Sequence, residues 1–123
     1  METPIFIHFG ETVIPGVLND TKAARELIKR LPCTIRASRY EFDICGVIDP
    51  PLPRIPKELV TGWHNGDISF DGTYFTILFG QEEKSASYGM YSNLGRISCP
   101  LSQMEALHGD YDILIEKAEQ TEK

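Results

Sequence analysis

The sequence predicts a mainly β fold: a closed or nearly closed barrel of about eight strands, with one capping helix and one short helix. Three observations carry that expectation. Short stretches of apolar and polar alternation recur along the chain, the dipeptides Asn65-Gly66 and Asp71-Gly72 mark hairpin turns between them, and only one segment carries a clear helical stripe. In a chain of 123 residues this inventory favours closure over an open sheet, because a barrel removes exposed strand edges. The length fits one domain spanning 1–123.

The first element is a strand from Ile5 to Phe9, with Ile5, Ile7 and Phe9 on one face and His8 on the other. Gly10-Glu11 turns the chain into a second strand, Thr12 to Leu18, where Pro15-Gly16 predicts a bulge or an edge position. Asn19-Asp20-Thr21 then offers three helix-capping residues. Ala24, Leu27, Ile28 and Leu31 follow at helical spacing, and Pro32 ends the helix. This stripe is expected to plug one end of the barrel. The strands Cys33 to Ala37 and Tyr40 to Cys45 come next, the latter with Tyr40, Phe42 and Ile44 inward and Glu41, Asp43 and Cys45 outward.

Four prolines between Asp49 and Pro56 make that segment an extended surface loop, since proline donates no ladder hydrogen bond. A short strand at Asp67 to Phe70 leads to Tyr74 to Phe79, the most apolar strand and the expected centre of the sheet. Gly80 to Asn93 reads as a long polar loop contributing little to the core, and therefore as a functional candidate. Gly95 to Ser98 returns as a strand, Pro100 opens a short helix over Leu101 to Leu107, and Tyr111 to Glu116 is the last strand. The charged tail after Lys117 is expected to fray.

Composition narrows the functional classes. Eighteen acidic against twelve basic residues give a formal charge of -6, which repels nucleic-acid backbones and anionic membrane surfaces. No apolar run reaches the roughly 20 residues of a spanning helix, and METPIFIHFG lacks the features of a signal peptide, so a cytoplasmic location is expected. Cys33, Cys45 and Cys99 are irregularly spaced and form no CxxC pair, which favours reduced thiols over disulfides. His8, His64 and His108 are too scattered to predict a metal site. No GxSxG elbow, phosphate loop or dinucleotide glycine pattern occurs, so no cofactor is expected.

The order of segments is more informative than any one of them: a strand ending HFGET, the helix NDTKAARELIKRLP, the segment YEFDI, the proline-rich loop, NGDISFDGTYFTILFG and NLGRIS. Taken together, from Ile5 to Ile97, they resemble the small prokaryotic cyclophilin-like family, single domains built on a minimal cyclophilin-type barrel. The resemblance implies that fold. It implies peptidyl-prolyl isomerase activity only by name, because the Phe-His-Arg motif, the Ser-Gln-Phe-Phe segment and the late Trp and His of true cyclophilin isomerases are absent as such. No catalytic residue is carried over.

Three groups of residues have the chemistry of a binding site. Arg36, Arg39 and Glu41 place guanidinium and carboxylate groups near one another, either as a polar anchor or as a cross-strand ion pair. Trp63-His64 combines a broad apolar ring with a titratable one. Gln81, Tyr88, Tyr91 and Arg96 surround the long loop with donors, acceptors and flat apolar area, the preferred site for a small molecule or peptide. The leading expectation is a binding module. A divergent isomerase using Arg36, Arg39 or Arg96, and a subunit or regulator of a larger enzyme, are the alternatives; the oligomeric state is left open.

Overall fold

A computed structural model of the chain describes residues 2–118. Nine strands, β1 (Thr3–Phe9), β2 (Thr12–Leu18), β3 (Cys33–Arg39), β4 (Asp43–Val47), β5 (Leu59–Thr61), β6 (Asp67–Phe70), β7 (Tyr74–Leu78), β8 (Met90–Ile97) and β9 (Asp110–Lys117), form one sheet. Its order is β2-β1-β9-β3-β4-β7-β6-β8-β5, and a further pairing of β2 with β8 closes it. Eight antiparallel strands therefore make a closed barrel, with β5 as an extra strand beside β8. From residue 119 onward the tail lies outside the described residues.

Alternation along each strand sends one set of side chains into a common core. Ile5, Ile7 and Phe9 of β1 meet Ile14 and Leu18 of β2, Ile44 of β4, Ile68 and Phe70 of β6, Phe75 and Ile77 of β7, and Ile113 and Ile115 of β9. Helix α1 (Lys22–Arg30) adds Ala23, Ala24 and Leu27 to the same cluster, with Ile28 and Leu31 partly buried against it. Thr21 caps α1 by accepting a hydrogen bond from the Ala24 amide at 3.2 Å. Helix α2 (Leu101–Glu105) contributes Met104, and Leu107 just beyond it is buried as well.

The closing seam depends on glycine. A Cβ at Gly95 would run into the carbonyl oxygen of Val17, and one at Gly16 would lie 2.9 Å from that of Arg96, so the backbones of β2 and β8 approach only because both positions lack a side chain. Pro15-Gly16 was expected to interrupt β2, yet β2 runs unbroken against β1 through Thr12–Leu18. The irregularity lies across the seam instead. Ile68 pairs with Gly95 and Ser69 with Asn93, which leaves Leu94 as the extra residue of a bulge in β8.

Two other expectations need correction. Tyr40 and Phe42 do not enter a strand: β3 continues to Arg39, the turn falls at 40–42, and Tyr40 is 57% exposed. Ile44 is inward and Asp43 and Cys45 are outward, as the alternation required. The segment Gly80 to Asn93 is not an open loop, because its first half is a 3₁₀ segment (Glu82–Tyr88) and its second half is already β8. The proline-rich loop leads through a 3₁₀ turn at Pro56–Glu58 into β5, a strand too short to show an alternation.

Candidate functional site

A cleft of ≈ 710 Å³ opens on the outer side of the barrel where β5, β6, β8, the 3₁₀ segment and the start of α1 come together. The register explains its floor. Ile68 and Phe70 point into the core, so Asp67 and Ser69 on β6 point outward, and Ser69 faces Asn93 of β8. Asn93 is held in place by Asn19, whose amide donates to the Asn93 carbonyl at 2.8 Å and to its Oδ1 at 3.0 Å. Asn19 in turn accepts from the backbone N–H and hydroxyl of Thr21. The floor is thus bonded to the N-terminus of α1.

One wall is built on Trp63. Its backbone N–H donates to the Ser85 hydroxyl at 2.9 Å and its indole N–H donates to the Gly80 carbonyl at 2.9 Å. Phe42 stacks on the indole with ring centroids 5.7 Å apart, Tyr91 meets it edge-on at 5.6 Å and Tyr88 leans on it at 5.3 Å. Three aromatic rings therefore brace a side chain that is only 6% exposed. Val60 and Thr61 of β5, both exposed, continue the wall.

Carboxylates dominate the rest of the lining. Glu58 accepts from the Lys22 backbone N–H through both oxygens, and Glu82 accepts from the Asn65 N–H at 2.7 Å. Glu83 stands exposed on the rim. Asp67 is partly buried and accepts from the His64 backbone N–H at 2.9 Å. Burial pushes its carboxyl above the usual carboxylate range against the opposing pull of that hydrogen bond, and Glu82 pushes the same way. His64 is the lone basic side chain in the lining.

The sequence-selected residues separate into distinct places. Trp63 and His64 line the cleft, while Tyr88 and Tyr91 stand behind Trp63. Gln81 precedes the 3₁₀ segment in a left-handed conformation with φ 66°. Arg96 faces Asp67 in register but directs its guanidinium to Glu2 at 3.5 Å. Arg36 pairs with Asp112 across β3 and β9 at 3.3 Å, both exposed, and Glu41 sits exposed in the turn after β3. Arg39 donates to the carbonyls of Glu105 and Leu107 and lies 4.7 Å from the Phe79 ring centroid, tying α2 to the barrel.

Sequence reasoning missed Asn19, Asp67 and Asn93 as site residues. Asn19 had a sufficient explanation as a helix-capping residue, and Asp67 and Asn93 acquire their meaning only through a register across two strands and a bulge. Among the described residues no group of three or more His, Cys, Asp or Glu side chains is arranged to hold a metal ion. No helix among them is long and apolar enough to cross a membrane.

Comparison with known proteins agrees with this architecture. The solution structure of a hypothetical protein from Archaeoglobus fulgidus superposes with a TM-score of 0.73 over 95% of each chain, at 16% identity, a likeness of fold. No curated protein is similar enough to count as a match. The cyclophilin-like family matches residues 7–116, which takes in every strand of the barrel in whole or in part. With a closed barrel, a helix seated in its core and a match over most of its length, the chain belongs to the cyclophilin-like family.

Proposed function

We propose that the protein is a binding module that holds a small molecule in the cleft between β5, β6, β8 and the 3₁₀ segment. The observation that carries this reading is the pre-bonded cleft itself. Its ≈ 710 Å³ fall within the range of small-molecule sites, and its polar floor is fixed by Asn19 and Asn93 beside a Trp63 wall braced by three rings. Groups held in place before binding lose little entropy when a ligand arrives. A peptide inserting one side chain is the nearest variant of this reading. Three free thiols, Cys33, Cys45 and Cys99, fit a reducing, cytoplasmic setting.

The isomerase alternative draws less support, because each arginine proposed for it is engaged elsewhere: Arg36 with Asp112, Arg39 with two carbonyls and Arg96 with Glu2. Ligand-observed NMR against a fragment library, repeated with Thr61→Trp, tests the binding reading. Thr61 is exposed and lines the cleft, so a bulky ring there fills the space with little cost to the fold. Fragments that bind the native protein and lose binding to the variant support the proposal; binding indifferent to the variant, or proline isomerisation that disappears in Arg39→Lys, overturns it.

A further inference from the structure

Closure leaves the sheet with a free edge at β5. Among the described residues each of the other strands has a neighbour on both sides, whereas β5 pairs with β8 alone. The phase of that pairing says which backbone groups remain. Gly62 donates its N–H to the Gly89 carbonyl at 3.3 Å, and these two residues continue the register in which Val60 meets Tyr91. Bonded and non-bonded pairs alternate along antiparallel strands, so Val60 turns its N–H and carbonyl toward β8 while Leu59 and Thr61 turn theirs away.

The outward groups are largely unused. The Leu59 N–H donates to the Pro56 carbonyl. The Leu59 carbonyl and both backbone groups of Thr61 enter no backbone hydrogen bond among the described residues. Val60 is 44% exposed and Thr61 is exposed as well, so the edge is open to solvent. Both residues are β-branched, which favours an extended backbone. Thr61 therefore presents a donor and an acceptor side by side, the pair that one residue of an added antiparallel strand engages.

We propose that the free edge of β5 takes up an extended peptide segment rich in lysine or arginine, which adds to the sheet as a further strand. This interaction goes beyond the small-molecule reading of the cleft and does not depend on it. Main-chain hydrogen bonds supply the attachment, and the side chains beside the edge supply the selection. The cleft that Val60 and Thr61 line carries Glu58, Asp67, Glu82 and Glu83 and neither lysine nor arginine, so basic side chains complement it. A second copy of the chain does not. Pairing β5 with its counterpart would set these carboxylates beside their own duplicates, between molecules that each carry a charge of -6.

The probe is acetyl-Lys-Val-Lys-Val-Lys-amide, titrated into the protein with amide shifts and hydrogen exchange followed by NMR. Binding is expected to shift Leu59, Thr61 and Gly62 and to slow exchange of the Thr61 N–H at least about tenfold at saturation, because that donor gains a partner. Two analogues carry N-methyl groups on alternate residues, one in each phase. A ladder uses one side of the peptide, so one analogue is expected to lose about tenfold in affinity and the other little. Thr61→Pro deletes the outward N–H at a position where an edge strand accepts proline, and is expected to lose about tenfold too. Should that variant disturb β5, the two analogues on the native protein still decide. Glutamate in place of lysine in the peptide is expected to abolish binding, and salt to weaken the parent. Equal affinity of the two analogues, or a Thr61 N–H left unprotected at saturation, overturns the added strand; fragments that still bind in the cleft then leave the small-molecule reading standing. A glutamate peptide that binds as well as the lysine one overturns the basic partner. Protection of Thr61 without peptide, rising with protein concentration, assigns the edge to a second copy and overturns the proposal.

Discussion

Asp43 sits on the outward face of β4, partly buried beside Asp71, and its carboxyl is pushed up to about 6, first by burial and then by that neighbour. The same two carboxylates, after burial, push the Cys45 thiol up to about 11 and raise the Tyr91 phenol. Because the folded state holds the Asp43 proton more tightly than the unfolded chain, it binds more protons between the ordinary value of 3.8 and about 6. Stability conferred by that proton is present below pH 3.8 and is lost as pH rises through about 6. Asp43→Asn keeps the shape and removes the titration. Its melting temperature is expected to exceed that of the native protein at pH 7.5 and to approach it at pH 4; equal gaps at both pH values would refute the assignment. The dipeptide Trp63-His64 teaches a related lesson about single residues. Adjacent in sequence, the two have opposite exposures, with Trp63 buried under Phe42, Tyr88 and Tyr91 and His64 facing the cleft.

Among the elements, the segment from Gly80 to Asn93 departs most from its sequence reading. Polar composition made it look detachable, but Ser85 is buried and bonds to Trp63, and Tyr91 pairs with Val60 inside the sheet. Removing both tyrosine rings is therefore expected to cost stability, about 2–3 kcal/mol for Tyr88→Ala with Tyr91→Ala, and to change the Trp63 emission. Denaturant melts of the single and double variants measure it; a double variant as stable as the native protein would show that the rings cover Trp63 without stabilising the fold. Helix α1 supports the same region from the other side. Thr21→Ala removes the cap and loosens Asn19, with an expected loss of about 1 kcal/mol. Amide exchange should then rise at Ala24 and at Asn19, and protection unchanged at both would argue that the cap is redundant.

At the scale of the molecule, the barrel stands on closure and on the helix in its core. Gly95→Ala places a methyl group against the Val17 carbonyl at the β2–β8 seam, and Leu27→Asp places a carboxylate where the side chain is 0% exposed. Both are expected to cost more than about 3 kcal/mol, by backbone clash in one case and by burial of an unpaired charge in the other. Circular-dichroism melts check the pair. A near-native melting temperature for Gly95→Ala would mean that the seam opens without loss, and one for Leu27→Asp that α1 does not belong to the core.

What the sequence alone determined is whatever short-range pattern encodes: the period of two in Ile5, Ile7 and Phe9, the helical spacing of Ala24 and Leu27, the cap at Thr21, and the turn glycines. Ordered along the chain, these sufficed for a closed β-barrel with a helix in its core. The tertiary structure decided everything that depends on pairing between distant segments. It placed the bulge at Leu94 rather than at Pro15-Gly16, sent Arg36 to Asp112 instead of Glu41, and brought Asn19 and Asn93 together with Asp67 on one outward face. Alternation tells which residues share a face of one strand. It does not tell which strand lies alongside or in what register, and a one-residue shift there exchanges core for cleft.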